Sequence, residues 1–153
     1  MIKALSILLL LLASASCSMT ENGLVFGMPD YEKRDFSSSP NDLEILLRAD
    51  SYLQAGVSWS QEEAVTCRDS ERLSLYCALE AASMDVLGEY IHRKSALQEV
   101  RFAIDDKFRD RWSKHRLIDF NNHPDTTFDD VKKVIRIATN VVRKKMEASM
   151  KAE

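Results

Sequence analysis

The residues of this sequence that could carry out acid–base chemistry are gathered in the stretch FNNHPDTTFDDV, residues 120–131. His123 lies two residues before Asp125, and an imidazole held beside a carboxylate can move protons at a substrate. The same stretch also fits a turn followed by a helix cap, because Asn-Asn-His-Pro-Asp is rich in turn-forming residues. Thr127 with Asp130 can then cap the next helix. We favour the turn and cap, with the catalytic pair as the alternative.

Cys77 is the second candidate for chemistry, since a cysteine thiolate beside a histidine can act as a nucleophile. Its neighbours at helical spacing are Leu73, Tyr76 and Met84, a setting typical of a buried and inert cysteine. In an oxidising compartment Cys77 could instead form a disulfide with Cys67, provided that their Cα atoms lie within about 7 Å of each other. The sequence leaves the disulfide and two free thiols as open alternatives.

Residue spacing gives no support to a metal or cofactor site. The three histidines, His92, His115 and His123, are far apart in the sequence and form no H-x-x-x-H pair, and no C-x-x-C pair occurs. The four glycines form neither a phosphate-cradling loop nor a G-x-S-x-G elbow. We therefore expect no metal, no cofactor and no enzymatic activity.

The first residues, MIKALSILLLLLASASCS, have the pattern of an export signal. Lys3 precedes an apolar run at residues 4–13 that is about half the length needed to cross a bilayer core, as in a signal peptide. Two cleavage sites compete. Ala13-Ser14-Ala15 is an A-x-A site, whereas Ser14-Ala15-Ser16-Cys17 resembles the lipobox of bacterial lipoproteins, with Ser14 in place of the usual Leu.

The number of cysteines favours lipid attachment at Cys17. The chain has three cysteines, and an exported protein with an odd thiol needs an explanation. Lipidation of Cys17 supplies one and leaves Cys67 and Cys77 as an even pair. We predict a signal peptide at residues 1–16 and a lipid anchor at Cys17, with secretion after Ala15 as the alternative. The resemblance to lipoproteins implies the outer membrane if the cell has one, because position 18 lacks the Asp that commonly retains such proteins at an inner membrane.

The remainder divides into a tether at residues 17–38 and a domain at residues 39–153. The tether mixes Gly, Pro, Ser and charged residues without a sustained apolar period. In the domain, apolar residues recur mainly at helical spacing, and the strand candidates are limited to LVF at 24–26 and LIDF at 117–120. We predict an all-α domain of about four helices.

Capping patterns place the helix beginnings. Ser39 and Asp42 form a capping box for the first helix, Ser70 can cap the second, and SALQ at 95–98 is a box for the third, with Trp112 near its end. The fourth helix has the clearest apolar stripe, made of Val131, Val134, Ile135, Ala138, Val141, Val142 and Met146.

Basic residues cover another face of the fourth helix. These residues are Lys132, Lys133, Arg136, Arg143, Lys144 and Lys145. Nucleic acid is not expected as a partner, because aromatic residues are not interleaved with these cations and an exported protein rarely meets it. An ordinary solvated face is one interpretation. Contact with anionic head groups or with an acidic envelope protein is the other.

Several short pieces together are similar to a family of small uncharacterised helical domains. The pieces are LLRADSYLQ at 46–54 followed by Trp59, YCAL at 76–79, and DFNNHPDTTFDDVKKVIRIA at 119–138. Members of that family have a Trp-x-Gln turn, a Cys-Ala pair on the next helix, and a Trp-Asn-Asn/Asp-x-Pro-x-Thr segment before the last helix. Phe120 replaces the Trp here, and Cys67 and the export signal also depart from the pattern. The resemblance covers most of residues 43–142 and implies a helical fold, but no mechanism, because the family has no established activity.

These observations favour an exported, lipid-anchored protein of the cell envelope that acts as a binding module. Its expected partners are the membrane, through the anchor, and an envelope protein. The alternative is a soluble secreted enzyme or effector that uses His123 and Asp125, or Cys77.

Overall fold

The computed structural model describes residues 37–54, 58–62, 67 and 72–152. Within them the chain forms five α-helices, with a 3₁₀ turn at Arg109–Arg111. The helices are α1 (Pro40–Tyr52), α2 (Leu75–Leu87), α3 (Ser95–Lys107), α4 (Arg116–Asn122) and α5 (Phe128–Ala152). The predicted all-α class is confirmed. The predictions for the signal peptide, for Cys17, for the tether up to residue 36 and for LVF at 24–26 lie outside the described residues.

Helix α1 begins at the predicted capping box. Asp42 Oδ2 accepts a hydrogen bond from the Ser39 N–H at 2.8 Å. The other carboxylate oxygen, Oδ1, accepts from the N–H of Ala96 at the beginning of α3, at 3.0 Å, and Lys94 Nζ lies 3.7 Å from Oδ2. The buried Asp42 carboxylate therefore caps one helix and ties it to the beginning of another.

Helix α2 begins later than predicted. Its first residue is Leu75, and its N-cap is Ser74, whose Oγ accepts from the N–H of Cys77 at 3.1 Å. Ser70 is therefore not its cap. The helix ends at Gly88, which has a φ of 75°, a left-handed conformation that glycine adopts without steric strain.

Helix α3 does not use the predicted box at residues 95–98. Its N-cap is Lys94, and Ser95 is buried, with its Oγ 3.0 Å from Ser38 Oγ. A local cap is not needed because Asp42, on another helix, already accepts the N–H of Ala96. The helix ends at Lys107, so Trp112 lies beyond it.

Helix α4 is the helix that the prediction of about four helices missed. It includes LIDF at 117–120, which the sequence left as a strand candidate. His115 Nδ1 accepts from the N–H of Ile118 at 3.3 Å. Asp119 Oδ2 accepts from the three backbone N–H groups of residues 113–115 at 2.7–3.0 Å. These bonds satisfy the donors at the turn before the helix, and so stabilise a helix of only seven residues.

The core is built around α5, which packs against α3 and α1, while α1 also packs against α2. The apolar stripe of α5 is buried at Val131, Val134, Ile135, Ala138 and Val142, and half-buried at Val141 and Met146. The predicted stripe is therefore confirmed. None of the helices in the described ranges is both long enough and apolar enough to cross a membrane.

Candidate functional site

Asn121 is the centre of a hydrogen-bond network that joins three segments of the chain. Its side chain is fully buried. Asn121 Oδ1 accepts from Trp59 Nε1 and from the N–H of Leu75, both at 3.0 Å. Its Nδ2 donates to the carbonyls of Ser60 at 3.0 Å and Gln61 at 2.9 Å. Nδ2 also lies 3.1 Å from Asn122 Oδ1. A carboxamide has two acceptor and two donor positions, so the bonds to the other segments engage both ends of the group and fix the Trp-Ser-Gln segment against α2 and α4.

The Gln61 side chain holds the turn that contains His123. Gln61 Nε2 donates to the carbonyl of His123 at 2.7 Å and to that of Thr126 at 3.1 Å. His123 Nδ1 accepts from the N–H of Asp125 at 3.2 Å, whereas the Asp125 carboxylate is 78% exposed and lies 3.9 Å from His123 Nδ1. The arrangement orders the backbone of the turn and leaves the carboxylate in solvent.

A cleft of about 650 Å³ opens beside this turn. It is lined by Trp59, Ser60, Gln61, Glu62, Arg72, Asn122 and Pro124. The side chains of His123 and Asp125, the alternative catalytic pair, are not part of this lining. The cleft therefore does not bring that pair to an enclosed space where a substrate could sit.

The predicted cap of α5 is confirmed. Thr127 Oγ1 accepts from the N–H of Asp130 at 3.2 Å, and Asp130 Oδ2 accepts from the Thr127 N–H at 3.2 Å. Arg111 Nη1 donates to the same carboxylate oxygen at 2.9 Å. Partial burial acts to raise the pKa of Asp130, but the hydrogen bonds from Arg111 and Thr127 outweigh it and hold that pKa below its usual range.

The structure brings together a second group of side chains that the sequence did not connect. We call it the Arg101 cluster, and it consists of Tyr76, Tyr90, His92, Arg101 and His115. The ring centroids lie 5.7 Å apart for Tyr76 and Tyr90, 5.9 Å for Tyr76 and His115, and 6.5 Å for His92 and His115. Helices α2 and α3, the loop between them and the residue before α4 each contribute to the cluster.

Arg101 is the buried member of its cluster, with 6% of its surface exposed. Its Nη1 donates to the carbonyl of His92 at 2.9 Å. Its Nη2 lies 3.3 Å from His92 Nδ1 and 3.4 Å from His92 Nε2. Because the two ring nitrogens are almost equally distant, the guanidinium lies against the imidazole as a whole and not at one nitrogen. Burial lowers the pKa of Arg101 from its ordinary value, but an arginine remains cationic in proteins.

Both histidines of the Arg101 cluster have a pKa below the ordinary value. Burial is the main cause for each, and the positive charge of Arg101 is the next. His92 also faces Arg93, and Asp119 partly opposes the shift at His115. Burial likewise raises the pKa of Tyr90 well above its usual range. At neutral pH the Arg101 cluster therefore contains the Arg101 cation, two neutral imidazoles and the neutral phenol of Tyr90.

The motif residues that meet at Asn121 belong to a described family. The family whose profile matches the chain, over residues 37–141, is the "Family of unknown function (DUF6197)". The chain belongs to the DUF6197 family. The resemblance to small uncharacterised helical domains is thereby confirmed. No curated protein and no solved structure gives a significant match to the chain.

In this DUF6197 domain, Cys67 and Cys77 are joined by a disulfide with their Cα atoms 5.1 Å apart. That separation is within the ordinary range for the bond. Cys77 is fully buried on the first turn of α2, so the bond ties position 67 to that helix. While the disulfide is intact, Cys77 has no thiol that could act as a nucleophile.

The six basic residues predicted as a surface of the last helix lie on α5, and we call them the α5 basic surface: Lys132, Lys133, Arg136, Arg143, Lys144 and Lys145. Their contacts in this DUF6197 domain differ. Lys132 Nζ lies 2.5 Å from Asp50 Oδ1, Lys145 Nζ lies 2.7 Å from Glu99 Oε1, and Lys133 Nζ lies 5.5 Å from the centre of the Phe108 ring. These lysines help to attach α5 to α1 and α3. A groove of about 210 Å³ between α1 and α5 has Arg136 and Arg143 in its lining, together with Leu47, Asp50, Lys132, Ile135, Thr139 and Asn140.

Sequence reasoning missed the Arg101 cluster because it compared histidines only with their neighbours in the sequence. One signal was nevertheless present. Arg101 falls at the fourth position after Leu97 and three before Ile104, on the apolar stripe that the pattern of α3 predicts. A cation on such a stripe either is paired in the core or has a function, and this position therefore marks Arg101 as a candidate functional residue.

Proposed function

We propose that this protein is an exported, lipid-anchored component of the cell envelope that works by binding. The observation that carries the proposal is the pairing of Cys67 with Cys77. Disulfides persist in oxidising compartments outside the cytosol. The pair leaves Cys17 as the third cysteine, directly after a signal-like apolar run and a lipobox-like tetrapeptide.

The spacing between the anchor and the domain allows the domain to reach its own membrane. The 22 residues from Cys17 to Ser39 span at most about 75 Å when extended. A domain on such a connection can stand away from the bilayer or lie on its surface. Both positions are compatible with binding at the membrane.

The groove beside the α5 basic surface is the part of the domain that we assign to the membrane. Arg136 and Arg143 are both exposed and are separated by seven residues on one helix, which places them about 10 Å apart along its axis. Leu47, 46% exposed, lies at the same groove. Two cations beside an apolar side chain suit anionic lipid head groups, where each basic residue contributes about 1 kcal/mol.

The geometry favours binding over the alternative of a secreted enzyme or effector. Cys77 is engaged in a disulfide, and the Asp125 carboxylate is mostly exposed and outside the neighbouring cleft. His123 contributes its backbone carbonyl to the Gln61 contact. The contacts of Cys77, His123 and Asp125 are therefore those of structural residues in α2 and in the turn.

The mature N-terminus tests the proposal directly. Mass spectrometry of protein extracted from membranes should find a mature form that begins at Cys17 and carries lipid. Cys17→Ser should leave the chain unprocessed or move it to the soluble fraction, whereas the neighbouring Ser18→Ala should remain with the membranes. A mature form beginning at Ser16 and free of lipid would refute the lipid anchor and establish secretion.

A further inference from the structure

The three charged side chains that are buried among the described residues do not have equivalent partners. They are Asp42, Glu99 and Arg101. Asp42 accepts three hydrogen bonds and lies 3.7 Å from Lys94, and Glu99 forms a 2.7 Å ion pair with Lys145. Arg101 forms no ion pair with any carboxylate in the part of the chain that the structure describes, and its neighbours are imidazoles, phenols and a carbonyl.

A buried cation without an anion is expensive, because the desolvation of its charge is not offset by a partner. The neighbouring phenols do not compensate for it, since burial keeps Tyr90 protonated well above neutral pH. The imidazoles are neutral acceptors at best, and a protonated imidazole would repel the guanidinium. The charge of Arg101 therefore lacks a counter-ion inside the fold.

A second buried donor beside Arg101 lacks an acceptor. The Gln98 side chain is 1% exposed, and its Nε2 has no hydrogen-bond partner among the described residues. The oxygen of the same carboxamide, Oε1, lies 3.5 Å from Arg101 Nη1. A cation without an anion and an amide donor without an acceptor thus lie side by side, and a single group rich in acceptor oxygens would satisfy both.

The rest of the Arg101 cluster supplies further donors around the guanidinium. His115 Nδ1 accepts from the N–H of Ile118, so the proton of the neutral ring is on Nε2, which is a donor. The hydroxyl of Tyr90 lies 3.4 Å from His92 Nδ1. His92 is exposed and Tyr76, Tyr90 and His115 are partly exposed, so the cluster is open to solvent on one side.

We propose that the Arg101 cluster is a binding site for a phosphate group. A planar guanidinium fork suits the oxygens of phosphate, and donors that come from several elements fit a tetrahedral anion with three or four acceptor oxygens. The anion supplies the missing partner of Arg101 and lets His92 and His115 become protonated beside it. The site is separate from the α5 basic surface and does not rest on the proposed export or lipid anchor.

The three histidines of the chain provide the test, because two lie in the cluster and His123 does not. Inorganic phosphate is added to the purified full mature chain while the ring protons of all three histidines are followed by NMR, with chloride at equal ionic strength as the control. We expect the signals of His92 and His115 to shift with saturation and the pKa of each to rise, while those of His123 stay in place. Vesicles that contain phosphatidic acid, compared with neutral vesicles, form a second arm.

The two arms distinguish the sources of the phosphate group. Saturable shifts with inorganic phosphate identify a site for the free anion, and shifts that occur only with phosphatidic acid vesicles identify a lipid head group. Either result supports the proposal. If His92 and His115 respond to neither probe at millimolar concentration, or respond no more than His123, the proposal is wrong.

Arg101→Met separates binding from folding. Methionine is apolar and removes the cost of a buried charge that has no counter-ion, so we expect this variant to remain folded and to lose about 10–100-fold in phosphate affinity, as for loss of hydrogen bonds to a charged group. Arg48→Met, on the exposed face of α1 where Arg48 pairs with Glu44, is the matched control and should bind phosphate as the wild type does. If Arg101→Met does not fold, the phosphate titration of the wild-type histidines still tests the proposed site. Unchanged phosphate binding in a folded Arg101→Met variant would overturn the assignment.

Discussion

Trp59 and Asn121 are 62 positions apart in the sequence, yet Trp59 Nε1 donates a hydrogen bond to Asn121 Oδ1 at 3.0 Å. Both lie within residues 37–141, which match the DUF6197 family, one in the Trp-Ser-Gln segment and one in the segment before the last helix. The bond shows that the two motifs are partners of each other. A structural role, in which Trp59 and Asn121 hold the two segments together, therefore accounts for both residues without a substrate.

The first prediction concerns the hydrogen-bond network around Asn121. Asn121→Ala removes the five hydrogen bonds of the carboxamide and leaves buried donors and acceptors unpaired. We expect the free energy of unfolding to fall by about 2–4 kcal/mol, measured by urea denaturation. Asn140→Ala, at an exposed position of α5, is the control and should change stability by no more than about 0.5 kcal/mol. Equal effects of the two variants would contradict the role assigned to Asn121.

The second prediction compares the cap of α5 with the adjacent histidine. Thr127→Ala should lower the free energy of unfolding by about 1 kcal/mol, because the N-cap hydroxyl accepts the N–H of Asp130. His123→Ala should leave stability almost unchanged, since Gln61 binds the backbone carbonyl, and water can replace the exposed bond from the Asp125 N–H to the imidazole. Thermal melts of both variants beside any biological readout provide the comparison. Loss of function at His123 with an unchanged melt would favour the enzyme alternative over the binding module.

The third prediction concerns the disulfide. If the protein is exported as proposed, protein taken directly from the envelope fraction should show no labelling of Cys67 or Cys77 by a thiol reagent until it is reduced. Reduction should then lower the free energy of unfolding by about 2–3 kcal/mol, the value for a short closed loop. The Cys67→Ser, Cys77→Ala double variant should have the lower stability with or without reductant. Full labelling of both cysteines before reduction would show that the bond is absent in the envelope.

The fourth prediction is a pH dependence from His92 and His115. Their pKa values are lowered in the folded state, so the unfolded chain binds more protons below its own histidine pKa of about 6.5. The two histidines therefore leave the free energy of unfolding unchanged above about pH 6.5 and lower it progressively as the pH falls below that value. Urea denaturation in phosphate-free buffers between about pH 7.5 and pH 5.5 should show this loss.

The control for the pH dependence is the double variant His92→Gln, His115→Asn. Asparagine keeps a side-chain acceptor at the N-cap of α4, so the helix should be retained while both titrations disappear. Asp119, whose pKa is lowered to about 2 by backbone N–H groups against the opposing effect of burial, contributes stability that is lost only at much lower pH. If the free energy of unfolding varies with pH in the same way in the double variant, the pH dependence arises from other groups.

Some features of this chain were predictable because their cause is local. The stripe from Val131 to Val142 repeats with the period of one helix, and the residues that cap α1 and α5 are three positions apart within each cap. In such cases the side chains that interact are close in the sequence, and backbone geometry alone brings them together. The all-α class and the family resemblance follow from features of this kind.

Other features depended on the tertiary structure, since the groups that decide them are far apart in the sequence. The box at 95–98 failed because Asp42, 54 positions from Ala96, already accepts its N–H. Asn121 shows the same dependence, since its Oδ1 accepts from Trp59 Nε1, 62 positions away, and from the N–H of Leu75, 46 positions away. Local patterns could not predict these partners.

The Arg101 cluster shows most clearly the difference between features set by the local sequence and features set by tertiary packing. The sequence by itself determined that Arg101 is at helical spacing from Leu97 and Ile104 and that the chain has three histidines. Only the packing of α2, α3 and α4 decided that His92 and His115 would meet around that cation, with ring centroids 6.5 Å apart. The physical reason is that a buried charge affects every polar group within a few ångströms, whatever its position in the sequence.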